Sequence, residues 1–383
     1  MNLSQLRIIF LIGAFVISSS TAVCQDFKFG KVSKKELLEE SHPRYPEAEA
    51  AILYRETKTS LNYSKDKGFF AVTETFERIK LYKAGGFDWG TIEVDLFTSS
   101  GSDKETFSGL KAYTYTILGD KIQETKLASS DVFDEKKSKF RSSKKFTMPS
   151  LKEGCIIEYR YKVKSPFIGN INTFSFQESI PLNNLKMRFE APEYYNYSAH
   201  RRGWIPFDIE TNRQEKTITS LSTRTSNLGG GGSVNNAGKS QLKYYQNISE
   251  VHLDNVPPLM KEAYAGNMRN YASSLKYELA FVKFPNTIAE TYSTDWESVS
   301  NTIYKALSFG NQLDKTGYFE KDLDKALIGA ANPNEKMVRV FEFVKEKMNW
   351  NGYIGIYTDE DVKKAFELGS GNTADINLML TAM

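Results

Sequence analysis

The sequence predicts an α+β protein: an antiparallel β-sandwich-like region first, then a helical region. Three observations predict it. Between residues 25 and 285, apolar and charged residues alternate with period two in several runs, the mark of strands with one solvated face. Beyond residue 286 the apolar spacing becomes helical. Aromatic residues make up 13% of the chain, with 25 Phe and 21 Tyr, which favours strands. The 383 residues suit two domains, divided near residue 285.

Residues 1–24 have the pattern of a signal peptide. Arg7 is their only charge, residues 8–17 are a short apolar run, and Ala22 and Cys24 fit the small positions before cleavage at Gln25. Val23 stands where a lipid-attachment signal calls for Gly, Ala or Ser, so acylation of Cys24 is the lesser expectation. The apolar run is about half of the ~20 residues that a spanning helix needs. The expectation is an exported protein, periplasmic or cell-envelope associated, with no transmembrane segment after leader removal. Cleavage would leave Cys155 as the sole thiol, in a strand-like run that makes it a small core residue.

Ser33-Lys34-Lys35-Glu36 caps a short helix, and Tyr45-Pro46-Glu47-Ala48 starts a second short segment ending near Tyr54. Residues 69–82 are a long strand whose alternation changes phase near Arg78, which predicts a bulge. Tyr113, Tyr115 and Ile117 alternate up to the Gly119-Asp120 turn, and Ile122 follows. Ile157, Tyr159, Tyr161 and Val163 alternate against charged neighbours, as do Leu185, Met187 and Phe189. Leu275, Tyr277, Leu279 and Phe281 form a late strand. Residues 226–241, with four successive glycines at 229–232, have the composition of a flexible loop. It either divides the β region or is a long hairpin loop within one sandwich. Val256-Pro257-Pro258-Leu259 is an extended turn or edge element.

Three stretches give this β region a resemblance to the domain of unknown function 3857. They are Tyr45-Pro46-Glu47-Ala48-Glu49-Ala50, Leu151-Lys152-Glu153-Gly154-Cys155-Ile156-Ile157-Glu158-Tyr159, and Asn255-Val256-Pro257-Pro258-Leu259. That family precedes transglutaminase-like cores in exported proteins of Bacteroidetes-type bacteria. The resemblance implies a fold and a location and brings no established activity.

The helical region opens on Thr294-Asp295-Trp296-Glu297, a capping box followed by Val299, Ile303 and Leu307. Asn332-Pro333-Asn334-Glu335 starts a longer helix with Met337, Val340, Phe341, Val344 and Met348 on its apolar side. Thr358-Asp359-Glu360-Asp361 caps a third, carrying Val362, Ala365 and Phe366 and stopped by Gly369. The Gly371-Asn372-Thr373-Ala374-Asp375 turn then opens a last helix with Ile376, Leu380 and Met383 on one stripe. This order resembles the start of a transglutaminase-like, papain-related core, in which a Gly-x-Cys turn carries the nucleophile of a Cys-His-Asp triad. Thr373 stands where that family has its cysteine.

The resemblance therefore points away from catalysis in this chain. A threonine hydroxyl needs a base, and His42, His200 and His252 all lie in the β region, none placed like the family's histidine. Thr373 is expected to be a helix N-cap or first-turn residue, and Asp375 to favour the helix dipole. The expectation is an exported non-catalytic binding or structural protein, its transglutaminase-like part incomplete. The alternative is a truncated copy of a longer protein, with acyl-transfer or amide-hydrolase activity only when the rest of the core is present.

Other chemistries find no support in the pattern. No His/Cys pair has zinc-ligand spacing, Asp359-Glu360-Asp361 lacks the glycine of a calcium loop, and Gly369 and Gly371 lack a third glycine for phosphate. No cofactor is expected. A net charge of +3 gives no case for nucleic acid, leaving a protein, peptide or saccharide partner in the cell envelope. Trp89, Trp204, Trp296 and Trp350 are expected in packing rather than as sugar platforms.

Overall fold

The computed structural model describes residues 27–99, 103–228, 232–292 and 295–383; the expected leader lies outside them. Two compact units divide the chain, Met1–Lys31 and Val32–Met383. In the first, Gly30 has φ +79° and the Lys31 N–H donates to the Lys28 carbonyl at 3.0 Å. All helices and strands named below belong to the second.

Helix α1 (Lys34–Leu38) starts from the expected capping box of Ser33 and Glu36. Strands follow: β1 (Ala50–Ser64), β2 (Gly68–Leu81), β3 (Thr91–Phe97), β4 (Thr106–Leu118), β5 (Lys121–Lys126), β6 (Val132–Lys136), β7 (Arg141–Thr147) and β8 (Ile156–Ser165). Then come β9 (Phe174–Ser175), β10 (Leu182–Pro192), β11 (Tyr195–Arg202), β12 (Glu210–Leu228), β13 (Gly232–Val256), β14 (Ser274–Val282) and β15 (Glu290–Thr291). The rest is α2 (Trp296–Tyr304), α3 (Gly310–Leu313), α4 (Glu320–Ala326), α5 (Pro333–Lys347), β16 (Asn349–Trp350), α6 (Val362–Leu368), β17 (Ser370–Gly371) and α7 (Thr373–Ala382).

A large sheet has the order β12-β13-β10-β1-β2-β8-β4-β5. Two smaller sheets, β3-β7-β6 and β11-β14-β15 with β9 beside β14, share one core with it. Phe146 of β7 meets Tyr159 of β8 edge-on at 6.1 Å, and Tyr277 of β14 stacks on Phe189 of β10 at 4.3 Å. Strands predominate, in several sheets that share this core, and the helices follow, so the expected α+β class is present. The helices gather round a separate cluster of Phe319, Leu323, Val340, Val344, Phe366 and Met379.

Several local expectations need correction. The sheet is not antiparallel throughout: β1 pairs with β10 in parallel, from Ile52↔Leu182 to Ser60↔Glu190. Residues 45–54 form no second helix. The Ala48 N–H closes a turn on the Tyr45 carbonyl, and residues 50–54 are buried between β2 and β10, where two ladders outweigh a weak helix start. The bulge near Arg78 lies in the partner strand, at Leu53, between Ile52↔Ile79 and Tyr54↔Arg78. Residues 226–228 and 232–241 are strand rather than loop, with β12 and β13 in register out to Leu228↔Gly232. Residues 229–231 lie outside the described set. A ladder satisfies backbone groups even in a polar, glycine-rich sequence, a force composition alone does not register.

Charge is buried beneath the sheet. Arg78 donates through Nε and Nη2 to Glu158 at 2.9 and 2.6 Å, and through Nη1 to Glu36 at 2.7 Å. Arg55 bridges Glu77 and Glu178 in the same manner. Lys80 is fully buried and donates to the Leu37 and Gly154 carbonyls at 2.7 and 2.8 Å, tying α1 to the sheet. Burial pulls its ammonium down to about 8, against the charges of Glu39 and Glu36. Between pH 8 and 10 the unfolded chain holds a proton that the folded chain has released, so stability should rise with pH in that window. In urea melts at pH 7.5 and 9.5 the native chain should gain stability relative to Lys80→Met as the pH rises. Equal slopes would refute the assignment.

Candidate functional site

The turn before α7 is held in place from three directions. The last turn of α5 passes through Met348 into β16, which pairs in parallel with β17, Asn349↔Ser370 and Trp350↔Gly371. Gly369 ends α6 in the left-handed region (φ +66°), where glycine carries no Cβ penalty. A Cβ on Gly371 would lie 2.7 Å from Asp375 Cβ, so this position requires glycine to let the turn close on the helix.

Caps decide where each helix starts; Asn332 caps α5 as the sequence suggests, and the caps of α2 and α6 lie further on. Asp295, not Thr294, caps α2, its carboxylate accepting from Ser298 N–H at 2.7 Å; Thr294 is outside the described residues. Asp361, not Thr358, caps α6 through Lys363 N–H, and its Oδ2 pairs with Lys315. Burial works against that carboxylate, but Lys315 and the Lys363 N–H hold it below its ordinary value. Thr358 is buried instead, its hydroxyl on the Ser308 carbonyl. Asn372 caps α7 in a reciprocal box: the Asp375 N–H donates to Asn372 Oδ1 at 2.9 Å, and the Asn372 N–H to Asp375 Oδ2 at 2.9 Å.

Thr373 is thus the first helical residue, and its hydroxyl is fully engaged. Its Oγ1 donates to the Gly355 carbonyl at 2.8 Å and accepts from the Gly355 N–H at 2.9 Å. The Thr373 N–H donates to the Tyr353 carbonyl at 3.2 Å, and Asn372 Nδ2 to the Tyr357 carbonyl at 3.0 Å. Thr373 and Asn372 together pin residues 353–357 against the helix. Asp375 is buried, which raises its pKa against the hydrogen bond from Asn372, with Asp359 and Glu360 adding to the rise. Asp375 Oδ2 serves as the cap of the Asn372 N–H.

The pinned loop forms one wall of a cleft of about 1000 Å³. The opposite wall comes from the three-stranded sheet, with Asp95, Phe97, Lys137, Phe140 and Arg141, and Arg269 borders it. The Lys139 N–H donates to Asp359 Oδ1 at 2.6 Å, joining the β6–β7 turn to the start of α6. Sequence reading missed this cleft because its walls lie some 200 residues apart in the chain, and no local pattern marks their meeting.

The remaining candidates fall elsewhere. His42 is buried, bonded to Asn183 and accepting from the Arg44 and Tyr45 N–H groups; His200 faces Glu278 on β11; His252 lies on β13. Cys155 is fully buried and its thiol is pushed up by burial, as a core residue should be. The tryptophans overturn their expectation: Trp204, Trp296 and Trp350 are 75, 87 and 56% exposed, and of the four Trp89 alone packs on the core. On α5, Val340 and Val344 are buried but Met337 and Phe341 are exposed; on α7, Met379 is the buried centre, with Ile376, Leu380 and Met383 at its margin. Among the described residues, no three His, Cys, Asp or Glu side chains come close enough to hold a metal ion, and no helix is long and apolar enough to cross a membrane.

No known family profile and no curated protein matches this chain. The fold does have a likeness among solved structures. A putative protease from Parabacteroides distasonis superposes with a TM-score of 0.55 at 14% identity, over 87% of this chain. The chain spans 59% of that protein's length. At this identity the likeness establishes a shared fold.

Proposed function

We propose that the chain is an exported, non-catalytic binding or structural protein of the cell envelope. In this reading a domain of unknown function 3857 precedes a transglutaminase-like segment, and Thr373 occupies the nucleophile position. The observation that carries it is the pair of hydrogen bonds between Thr373 Oγ1 and the Gly355 backbone. A nucleophilic hydroxyl gives its proton to a base, whereas this one gives it to a carbonyl. Two first-turn N–H groups that could receive an oxyanion are also engaged, Thr373 N–H with Tyr353 and Asp375 N–H with Asn372. A fluorophosphonate or acyl phosphate probe should leave Thr373 unlabelled, as read by peptide mass mapping. Labelling that disappears in Thr373→Ala would overturn the proposal.

One observation favours a second reading. Met337, Val338 and Phe341 of α5 and Leu368 of α6 leave large apolar side chains in solvent, a surface that further core structure would cover. Acyl-transfer or amide-hydrolase activity would then depend on that added structure. The intact mass of the protein recovered from its own cells separates the two readings.

A further inference from the structure

A second cavity, of about 370 Å³, lies against the β11-β14-β15 sheet. Register brings its walls together. Tyr195 of β11 pairs with Val282 of β14, and Val282 pairs with Glu290 of β15. Directly paired residues share a face, so these three side chains form one row across the sheet. The Tyr292 N–H continues the ladder to the Ala280 carbonyl at 2.9 Å, which sets Tyr292 beside Glu290 on the same face. Phe284 closes one end, its ring at 84° to that of Tyr195 with centres 5.9 Å apart. Ile168, Gly169 and Leu279 supply the remaining wall, which is apolar.

Glu290 sets a single charge among these rings, and nothing compensates it. No Lys, Arg or His lines the cavity. Lys276 of β14 is committed to Glu278, and neither Lys283 nor any other described cation lies at ion-pair distance from Glu290. Partial burial and the adjoining Glu290 carboxylate hold the Tyr292 hydroxyl above its ordinary value. Burial pushes Tyr195 up to about 12, with Tyr292 adding to the rise. The share of Glu290 in this is repulsion of a second negative charge, and the same field attracts a cation. The cavity therefore offers three aromatic rings, an apolar floor and one uncompensated carboxylate.

We propose that this cavity binds a quaternary ammonium group, its methyl surface on Tyr195, Phe284 and Tyr292 and its charge opposite Glu290. Aromatic rings attract a cation through their negative faces, more strongly where water is displaced. The methylated form suits these walls for a second reason. A primary ammonium carries three N–H donors, and apolar walls with one carboxylate leave donors unmet. A trimethylated nitrogen has none to satisfy. An anion would meet Glu290, and a saccharide would find few polar side chains for its hydroxyls. The volume is near the lower end of the about 300–1,000 Å³ usual for small-molecule sites, which suits a ligand of headgroup size. The site shares no residue with the Thr373 turn, so it is independent of whether the chain is catalytic.

The test uses the full chain in isothermal titration with choline, with ethanolamine, and with 3,3-dimethylbutan-1-ol, the uncharged carbon analogue of choline. Choline should bind, and the uncharged analogue and ethanolamine should each bind about tenfold more weakly. Glu290→Gln and Tyr292→Leu should each weaken choline about tenfold. Both residues are exposed, so an unchanged urea midpoint should accompany the loss. Sedimentation with phosphatidylcholine vesicles, against phosphatidylglycerol vesicles, tells the two sources of the group apart. Retention on phosphatidylcholine alone makes the ligand a lipid headgroup, and choline binding without retention makes it a free solute. No heat from choline at tens of millimolar, equal binding of choline and its uncharged analogue, equal binding of ethanolamine, or an unweakened Glu290→Gln variant would each overturn the inference.

Discussion

Glu158→Ala is expected to destabilise the protein by about 3–5 kcal/mol, the cost of stranding a buried cation. Arg78 is 1% exposed and Glu158 fully buried, and two of the guanidinium nitrogens end on one carboxylate oxygen. Removing the acid leaves Arg78 with Glu36 as its ion-pair partner, at the end of a short helix. Tyr115 loses a neighbour as well, since its hydroxyl sits 3.4 Å from Glu158 Oε2. Urea unfolding followed by far-ultraviolet circular dichroism would show the loss as a lowered midpoint with an unchanged slope. The double variant Arg78→Met, Glu158→Leu should recover most of the lost stability, because an apolar pair of similar volume carries no desolvation cost. A single variant within 1 kcal/mol of the native chain would show that water reaches this pair.

Thr373→Val should cost about 2 kcal/mol and release the 353–357 loop. Valine keeps the shape and the β-branch of threonine but leaves the Gly355 N–H and C=O without their partner. Thr373→Ser should retain both bonds and most of the stability. Hydrogen exchange is the discriminating measurement: the Gly355 amide should exchange far faster in the valine variant and near the native rate in the serine variant. Unchanged Gly355 protection in Thr373→Val would remove the clamp from the account. Thr373→Cys, which restores the residue type of the transglutaminase-like family, is expected to loosen the loop too, because a thiol is a weak hydrogen-bonding group.

Much of the β architecture was legible because strand alternation reports burial directly. The runs at 157–163, 185–189 and 275–281 all lie in the strands where the pattern places them. The pattern fails where both faces are covered, as at residues 50–54, because a strand buried on both sides has no alternation to show. Helix starts were legible to within one to three residues. At Asn332 the asparagine and the following proline fix the start, at Asp295 and Asn372 an adjacent threonine competes, and at Asp361 the rival is Thr358, three residues earlier. At the site, the first-turn place of Thr373 was readable from the glycine turn. Its partner, Gly355, was not, since a side chain reaching a backbone 18 residues away leaves no spacing rule. Arg141 and Arg269 were still less visible, because an exposed arginine in sequence looks the same whether it faces open water or a cleft.

The parallel pair β1–β10 dictates an order of events during synthesis. Ile52 and Leu182 are partners about 130 residues apart. At typical elongation rates of ~5–20 residues per second, β1 has been made roughly 10 s before β10 exists. Hairpin pairing with β2 can proceed at once, on a microsecond scale, but the other edge of β1 has no native partner in that interval. That edge belongs to the apolar residues 50–54, a segment well suited to pairing with another nascent chain. Its native cover, β10, is complete only when Pro192 has been made.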